Sequence, residues 1–473
     1  MSPSLFDPGL ESITVAETEL SDVDGRLGEL VIRGYPIAEL AANASYEESV
    51  ALLLSDRLPP AGGLHALRSE LAAARHIDDA VDGLLRAAAA ADCGPMDALR
   101  MGIAAATLGP DAADPAAPAR RIVAVTPTIV ATYWRYRQGE APVAPDPELG
   151  HAANYLAMLS GERPTEADAR AVETFLTTMV DHGLNASTFT ARTVVSTESD
   201  LVSAATAAVG TLKGPRHGGN LRAVFDLLRT AHEREDIAGV VEQRLDETDR
   251  LPGFGHRVYD VRDPRAAVLS AALERHPGDA TDDFRSTVQE SEAAGTEALN
   301  RRYPNRQAAP TVEFYAAALL YEAGVPPALF TPTFAAGRVA GWMAHCLEQL
   351  DDNTLVRPRA RYVGPTGRTW TPVDRRGRDD ARRDAVEPVS DALGTLADPA
   401  RLEILLVLAE AGRPLEYTPL RERTSIEDKG RFNYHLRQLR GPFVADRDDG
   451  YALRDAGEQF VDTVLRGDLL PEG

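Results

Sequence analysis

Lysine is almost missing from this chain. Of 50 basic residues among 473, only Lys213 and Lys429 are lysines, and the rest are arginines. Cysteine is equally rare, at Cys93 and Cys346. Two cysteines cannot build a disulfide framework or a thiolate metal cluster, so a reducing compartment is expected. No run of 18 uncharged apolar residues occurs, and no basic region followed by an apolar one opens the chain. Neither a membrane span nor a signal peptide is expected, and the reading is a cytoplasmic protein. Positive charge is in deficit, with 72 Asp+Glu and a formal net charge of −22. That excludes a globally basic nucleic-acid coat but leaves room for a local basic helix. An acidic, lysine-poor surface fits a halophilic cytoplasm, where salt screens its repulsion. A GC-rich coding sequence would explain the lost lysines but not the charge.

What is present is enough apolar material for sizeable cores, at 44%. At about 150 residues per domain, the length allows two to four domains. Long stretches rich in Ala, Leu, Glu and Arg, broken by Pro and Gly, predict a mainly α-helical chain. Val172, Phe175, Leu176, Met179 and Val180 recur at helical spacing, a core stripe ending at Asp181 and His182. Segments 109–120 and 141–147, rich in Ala, Pro and Asp, predict loops. A charged stretch near 364–388 reads as a linker. After Asp398-Pro399, a good helix start, Leu402, Leu405, Leu406 and Ala409 share a helical face. The expected organisation is a helical domain at 1–365, a linker at 366–388 and a small module at 389–473.

Three of the ten histidines sit beside glycine: Asp181-His182-Gly183, Arg216-His217-Gly218-Gly219 and Gly253-Phe254-Gly255-His256-Arg257. Glycine lets a backbone approach a ligand closely. None of the three has metal-ligand spacing, and HExxH and GxSxG are absent, so no metal and no serine hydrolase are expected. Gly253 and Gly255 do not complete GxGxxG, which leaves no dinucleotide fingerprint. Arg265, Arg338, Arg357 and Arg359 are candidate carboxylate ligands, because a planar guanidinium pairs with carboxylates bidentately. With lysine nearly absent, arginine is also the default surface cation.

Six segments in order, among them DHGLNASTFTAR, LKGPRHGGN, GFGHRVYDVRDPRA, VEFYAAALLYEAGVPPALFTPTFAAGRVAGWMAHCLEQ and RPRARYVGP, resemble citrate synthase across 9–364. GLESITVAETELSDVDGRLGELVIRGYPIAELA resembles that family's opening strand and turn region. The resemblance implies a nearly all-helical fold, with a large domain and a small one at about 220–325 closing over the substrates in a homodimer. It implies condensation of acetyl-CoA with oxaloacetate, with no cofactor beyond the acyl-CoA substrate. Carried over residue by residue, His217 donates to the thioester oxygen and Glu313 is the base that takes the methyl proton. His256 protonates the oxaloacetate carbonyl, while His182, Arg265 and Arg338 hold its carboxylates. Arg357 reaches in from the partner subunit, and Arg262 is a candidate CoA contact.

The chain departs from the family pattern around the chemistry. The base position is Glu313 rather than Asp, and the Asn two residues earlier is Thr311. Leu221 and Arg222 replace an Asn and a Glu, and Asp260 replaces a Lys. Retained ligands with a changed base fit a working synthase, a 2-methylcitrate synthase using propionyl-CoA, or a ligand-sensing regulator with weak turnover.

Residues 390–460 resemble an ArsR-type winged helix-turn-helix. Lys429, Arg431, Asn433, Tyr434 and Arg437 are the candidate DNA-binding residues on its recognition helix, which also carries His435 and Arg440. Against this, 386–473 holds 11 Lys+Arg and 17 Asp+Glu, a net charge of −6. DNA is therefore an expected partner only through that helix.

Overall fold

The computed structural model describes residues 6–106, 114–218, 221–255, 258–259, 261–278, 284–304, 308–373, 386, 389–447 and 449–466. The chain divides into two compact units, Met1–Pro358 and Arg359–Gly473.

The first unit opens with a small antiparallel sheet of strands Ser21–Asp24, Glu29–Ile32 and Tyr35–Pro36. Ser21 pairs with Ile32 and Asp24 with Glu29, so Leu30 and Ile32 turn inward, 2% and 0% exposed. Helices follow almost without interruption. Their starts carry the expected chemistry: Ser45 and Glu48 form a capping box, and Asn185, Asp200 and Asp263 cap their helices with side-chain oxygens. One correction concerns 109–120. A helix begins at Ala117 and runs to Arg137, with Pro118 in its first turn, so of the described part of that segment only 114–116 are turn, and 109–113 lie outside the described residues. The 141–147 segment is irregular.

The helix Phe330–Asp351 is the axis of this unit, buried from Phe330 to Cys346 apart from Thr331. A helix apolar all round belongs in a core. It meets the stripe of the helix Glu166–Thr178 and the turn after it, where Val172, Phe175, Leu176, Met179 and Val180 are fully buried. Gly341 makes this contact close: its N–H donates to the Val180 carbonyl at 3.1 Å, and a Cβ there would lie 2.4 Å from that oxygen. That approach sets Asp181 and His182 beside the middle of the axial helix. A satellite core of Leu227, Val241, Leu245, Leu251 and Ala298 stabilises the 221–302 helices. Among the described residues, no helix is long and apolar enough to cross a membrane.

The second unit holds helices Pro399–Ala411, Tyr417–Glu422 and Lys429–Leu439, a hairpin of Val444–Arg447 with Gly450–Leu453, and a final helix Asp455–Arg466. Asp398 caps the first of these, accepting from the Ala400 N–H. Its inward face differs from the expected one. Ala400, Ile404, Leu405 and Leu408 are buried, while Leu402, Leu406 and Ala409 are half-buried. Phe432, Leu436 and Leu439 complete the core from the Lys429–Leu439 helix.

Candidate active site

Three loops and the axial helix bring most of the expected residues together. His182 follows buried Asp181, and its Nε2 lies 3.0 Å from the hydroxyl of Tyr259. Asp181 accepts from Ser21 Oγ and from the Gly183 N–H at 3.2 Å, and lies 3.2 Å from His345 Nε2. Burial would raise this carboxyl, but His345, Arg338 and Ser21 outweigh it and hold it below its usual range. His345, in turn, stands 3.1 Å from Arg192, which pairs with Glu348 at 2.6 Å.

His217 sits in the turn after the helix Leu201–Leu212. Its Nε2 is 2.7 Å from Ser187 Oγ. Trp342 Nε1, which can only donate, gives a hydrogen bond to the same oxygen at 3.0 Å. Asn185 Oδ1 already accepts from the Ser187 and Thr188 N–H groups as a helix cap. Ser187 Oγ also lies 2.8 Å from Asn185 Oδ1, to which it donates, so Asn185 and His217 Nε2 compete for one hydroxyl proton. When that proton faces Nε2, the imidazole proton is on Nδ1. Burial, reinforced by Arg338, pushes His217 down to about 4. It is a neutral imidazole at neutral pH.

Arg338 is 1% exposed and donates from Nε to the Met179 carbonyl at 2.6 Å. Its Nη2 is buried with no hydrogen-bond partner among the described residues. Burial, opposed by Asp181 and reinforced by Arg265, lowers its pKa to about 10. Arg265 is also buried, and Asp263 grips one edge of its guanidinium, at 3.0 Å to Nε and 2.8 Å to Nη2. Among the described residues, no side chain other than Asp263 hydrogen-bonds this guanidinium. Asp263 also accepts from the Val312 N–H at 3.2 Å, tying Arg265 to the helix Val312–Glu322.

Glu313 lies in the first turn of that helix, half-buried, and accepts a hydrogen bond from Thr311 Oγ1. The 309–311 segment lies along 253–255: Thr311 N donates to the Gly253 carbonyl at 2.8 Å and Phe254 forms an isolated antiparallel bridge with Pro310. The glycine loop leading to His256 is thus set beside the start of the Glu313 helix. His256 itself, like Asp260, lies outside the described residues.

Arg262 and Arg357, expected to meet CoA and a second subunit's site, are both exposed. Arg262 pairs with Glu292 at 2.6 Å and lies over the Tyr315 ring. Arg357 is exposed, and no hydrogen bond or ion pair among the described residues joins it to the cluster. Leu221 is wholly buried, and Arg222 pairs with Asp226 at 2.8 Å. Sequence reasoning did not single out Ser187, Trp342, Tyr259 or Asp263. Only Asp263 carried a signal, as the cap in Asp-Pro at a helix start.

In the second unit, Lys429, Arg431, Asn433, Tyr434 and Arg437 are exposed on one helix. His435 is turned into the core, 5% exposed.

The arrangement joins buried guanidinium groups, a neutral imidazole and a carboxylate at a helix start. The family description "Citrate synthase, C-terminal domain" matches residues 9–359, and a domain of unknown function, DUF7347, matches 389–464. A citrate synthase of Haloferax volcanii is 44% identical over 381 residues, covering 78% of this chain and 98% of that one. A 2-methylcitrate synthase of Mycobacterium tuberculosis is 37% identical over 366 residues, 75% of this chain and 90% of that one. A solved ternary complex of citrate synthase from Thermoplasma acidophilum with carboxymethyl coenzyme A and oxaloacetate is 28% identical. It superposes with a TM-score of 0.68 over 77% of this chain and 98% of that one.

Proposed function

The chain belongs to the citrate synthase family and is a citrate synthase-type enzyme, and from that premise we propose how its own residues condense acetyl-CoA with oxaloacetate. The observation that carries the oxaloacetate reading is Arg338. A buried cation with an unpaired donor costs several kcal/mol unless an anion completes it. A substrate carboxylate facing Arg338 Nη2, with the second facing the guanidinium of Arg265, completes both. Two guanidinium groups in one field suit a dianion rather than a monoanion.

The other groups then have distinct tasks. The Glu313 carboxylate takes a proton from the acetyl-CoA methyl as the His217 Nδ1–H donates to the thioester oxygen, where charge develops. A neutral imidazole serves this role because it offers a proton without adding repulsion near Arg338. The new carbon nucleophile attacks the ketone carbon of oxaloacetate, and the carbonyl oxygen takes a proton from His256. Water then cleaves the thioester of the joined product, releasing citrate and CoA. Arg357 acts from a second copy of the chain, so the working form is a dimer. Propionyl-CoA is the competing substrate, supported by the likeness to a 2-methylcitrate synthase.

For the second unit, we read three helices, a hairpin and a closing helix as a winged helix. Its Lys429–Leu439 helix offers Lys429, Arg431, Asn433, Tyr434 and Arg437 to a DNA groove.

Thiol release from acetyl-CoA and from propionyl-CoA, with oxaloacetate at high KCl, tests the reaction. Turnover favouring acetyl-CoA supports this reading. Preference for propionyl-CoA replaces the substrate. No thiol release with either from a folded dimer that binds oxaloacetate overturns condensation and leaves a ligand sensor.

A further inference from the structure

The N-terminal hairpin touches both loops that meet at His182 and Tyr259, yet the reaction scheme gives it no part. Its first strand lies against the His182 loop. Ser21 Oγ donates to Asp181 and accepts from the Gly183 N–H at 3.0 Å, and Val23 packs on Gly183. Its turn lies against the other loop. A Cβ on Gly25 would stand 1.9 Å from the Val258 carbonyl oxygen. One on Gly28, where φ is +69°, would stand 2.7 Å from Val261 Cγ2 and 3.1 Å from the Arg262 carbonyl oxygen. Only glycine lets these backbones approach so closely.

The hairpin itself is held firmly. Glu348 accepts from Thr18 Oγ1 at 3.2 Å and from the Glu19 N–H at 2.9 Å. Arg192 holds Glu348 from the other side. Leu20, Leu30 and Ile32 are sunk in the main core. Asp24 Oδ1 accepts from the Arg26 and Leu27 N–H groups and closes the turn. Val258 is 46% exposed. A cleft of about 370 Å³ lies between the turn and Val258, lined by Asp22, Val23, Asp24, Gly25, Arg26 and Val258.

We propose that this hairpin is a positioning strut of the active site, with Ser21 fixing the His182 loop and Gly25 seating Val258, and with it Tyr259, at a set distance from that loop. The strut acts through other residues: His182 through Asp181 and Gly183, Tyr259 through the backbone of Val258. The proposal rests on the oxaloacetate reading above, because the His182–Tyr259 contact is what it sets.

Gly25→Ala is the direct test. A Cβ there forces the Val258 backbone outward by about 1 Å, and misplacement of that size costs about a hundredfold in rate. The expected result is a tenfold or greater rise in the KM for oxaloacetate or fall in kcat, with the KM for acetyl-CoA and the dimer unchanged. Ser21→Ala should show the same split more weakly, and Ser21→Thr, which keeps the hydroxyl, should recover most of it. Leu27→Ala, at an exposed position of the same turn, should match the parent. Amide hydrogen exchange provides a readout that needs no turnover: Gly25→Ala should speed exchange in 258–262, and Ser21→Ala should speed it at Gly183. Parent-like oxaloacetate kinetics and parent-like exchange in a folded Gly25→Ala protein would overturn the strut. A parent protein without thiol release would instead sink the condensation reading, and the exchange result would still decide the strut.

Discussion

The hydroxyl of Thr311 donates to the carboxylate of Glu313, two residues along at the start of the helix Val312–Glu322. Both positions depart from the Asn-x-Asp pattern of the family, and they depart together. Glu carries one more methylene than Asp, so, as the base proposed above, an extended side chain would overshoot the acetyl-CoA methyl group. The Thr311 hydroxyl draws the longer side chain back and fixes its rotamer. Thr311→Ala is expected to lower kcat about tenfold with little change in the KM for oxaloacetate, and Thr311→Ser to recover most of it. Glu313→Asp alone should lose on the order of a hundredfold, the cost of misplacement by about 1 Å. Steady-state kinetics of the three variants checks this, and a parent-like Thr311→Ala would remove the hydrogen bond from the account.

Glu313→Gln keeps the size of the side chain and removes the base. General-base catalysis contributes about 10²–10⁴-fold, and kcat should fall by that order. Oxaloacetate should still raise the Tm of the variant, because its ligands are untouched. Thiol release beside a thermal-shift titration separates the two effects.

Arg338→Gln removes a cation that burial already disfavours. Asp181 keeps His345 as its foremost counter-group, so the Tm should move by only a few degrees. Oxaloacetate binding should weaken about 10- to 150-fold, matching the roughly 1.5–3 kcal/mol of a hydrogen bond to a charged group. Calorimetric titration of oxaloacetate checks this. Unchanged affinity would place the substrate carboxylates elsewhere.

The site was legible in the sequence where its residues carry backbone signals. His182, His217 and the Gly253–Gly255 turn announce themselves through glycines, and Asp398 through the proline after it. Ser187, Trp342 and Tyr259 do not, because a lone hydroxyl or ring has no spacing to betray it. Their roles arise from long-range packing, as when Gly341 draws the axial helix onto Val180. The inward face of Pro399–Ala411 was misread for another reason. Its Ile404–Ala409 run is apolar on every side, so periodicity cannot choose between faces. The helix start at Ala117 was hidden because Pro118 reads as a breaker, yet proline is at home in a first turn.

Acid should destabilise the first unit through His151. Burial, reinforced by Arg75, pushes this histidine down to about 3. Both ring nitrogens are buried without a hydrogen-bond partner among the described residues, and the ring packs against Tyr46 with centroids 4.9 Å apart. The unfolded chain takes up a proton here near pH 6.5, whereas the folded one resists until about 3. The folded pKa is depressed, so stability is intact above about pH 6.5 and is lost as pH falls toward 3. His151→Phe removes this linkage, worth on the order of 3 kcal/mol across that window. The fall in Tm between pH 7 and pH 4 should therefore be smaller in His151→Phe than in the parent. Equal falls would assign the acid lability to other groups.

The second unit has to overcome its own charge to meet DNA. The net charge of −6 over 386–473 repels a phosphate backbone, so attraction must come from the Lys429–Leu439 helix. High salt reduces that repulsion and the attraction alike, which favours contacts that read base edges over those that only neutralise phosphates. Two single variants distinguish the contributions. Lys429→Ala, at the start of the helix, should weaken binding evenly across sequences and lower the salt slope by about one. Arg437→Ala, on an exposed position two turns later, should instead relax preference at particular base pairs, by about 1–3 kcal/mol each. Fluorescence anisotropy on a panel of duplexes at several KCl concentrations measures both. No binding by the full-length protein at any salt would leave this unit as a protein-interaction module, with the exposed basic face serving an acidic partner.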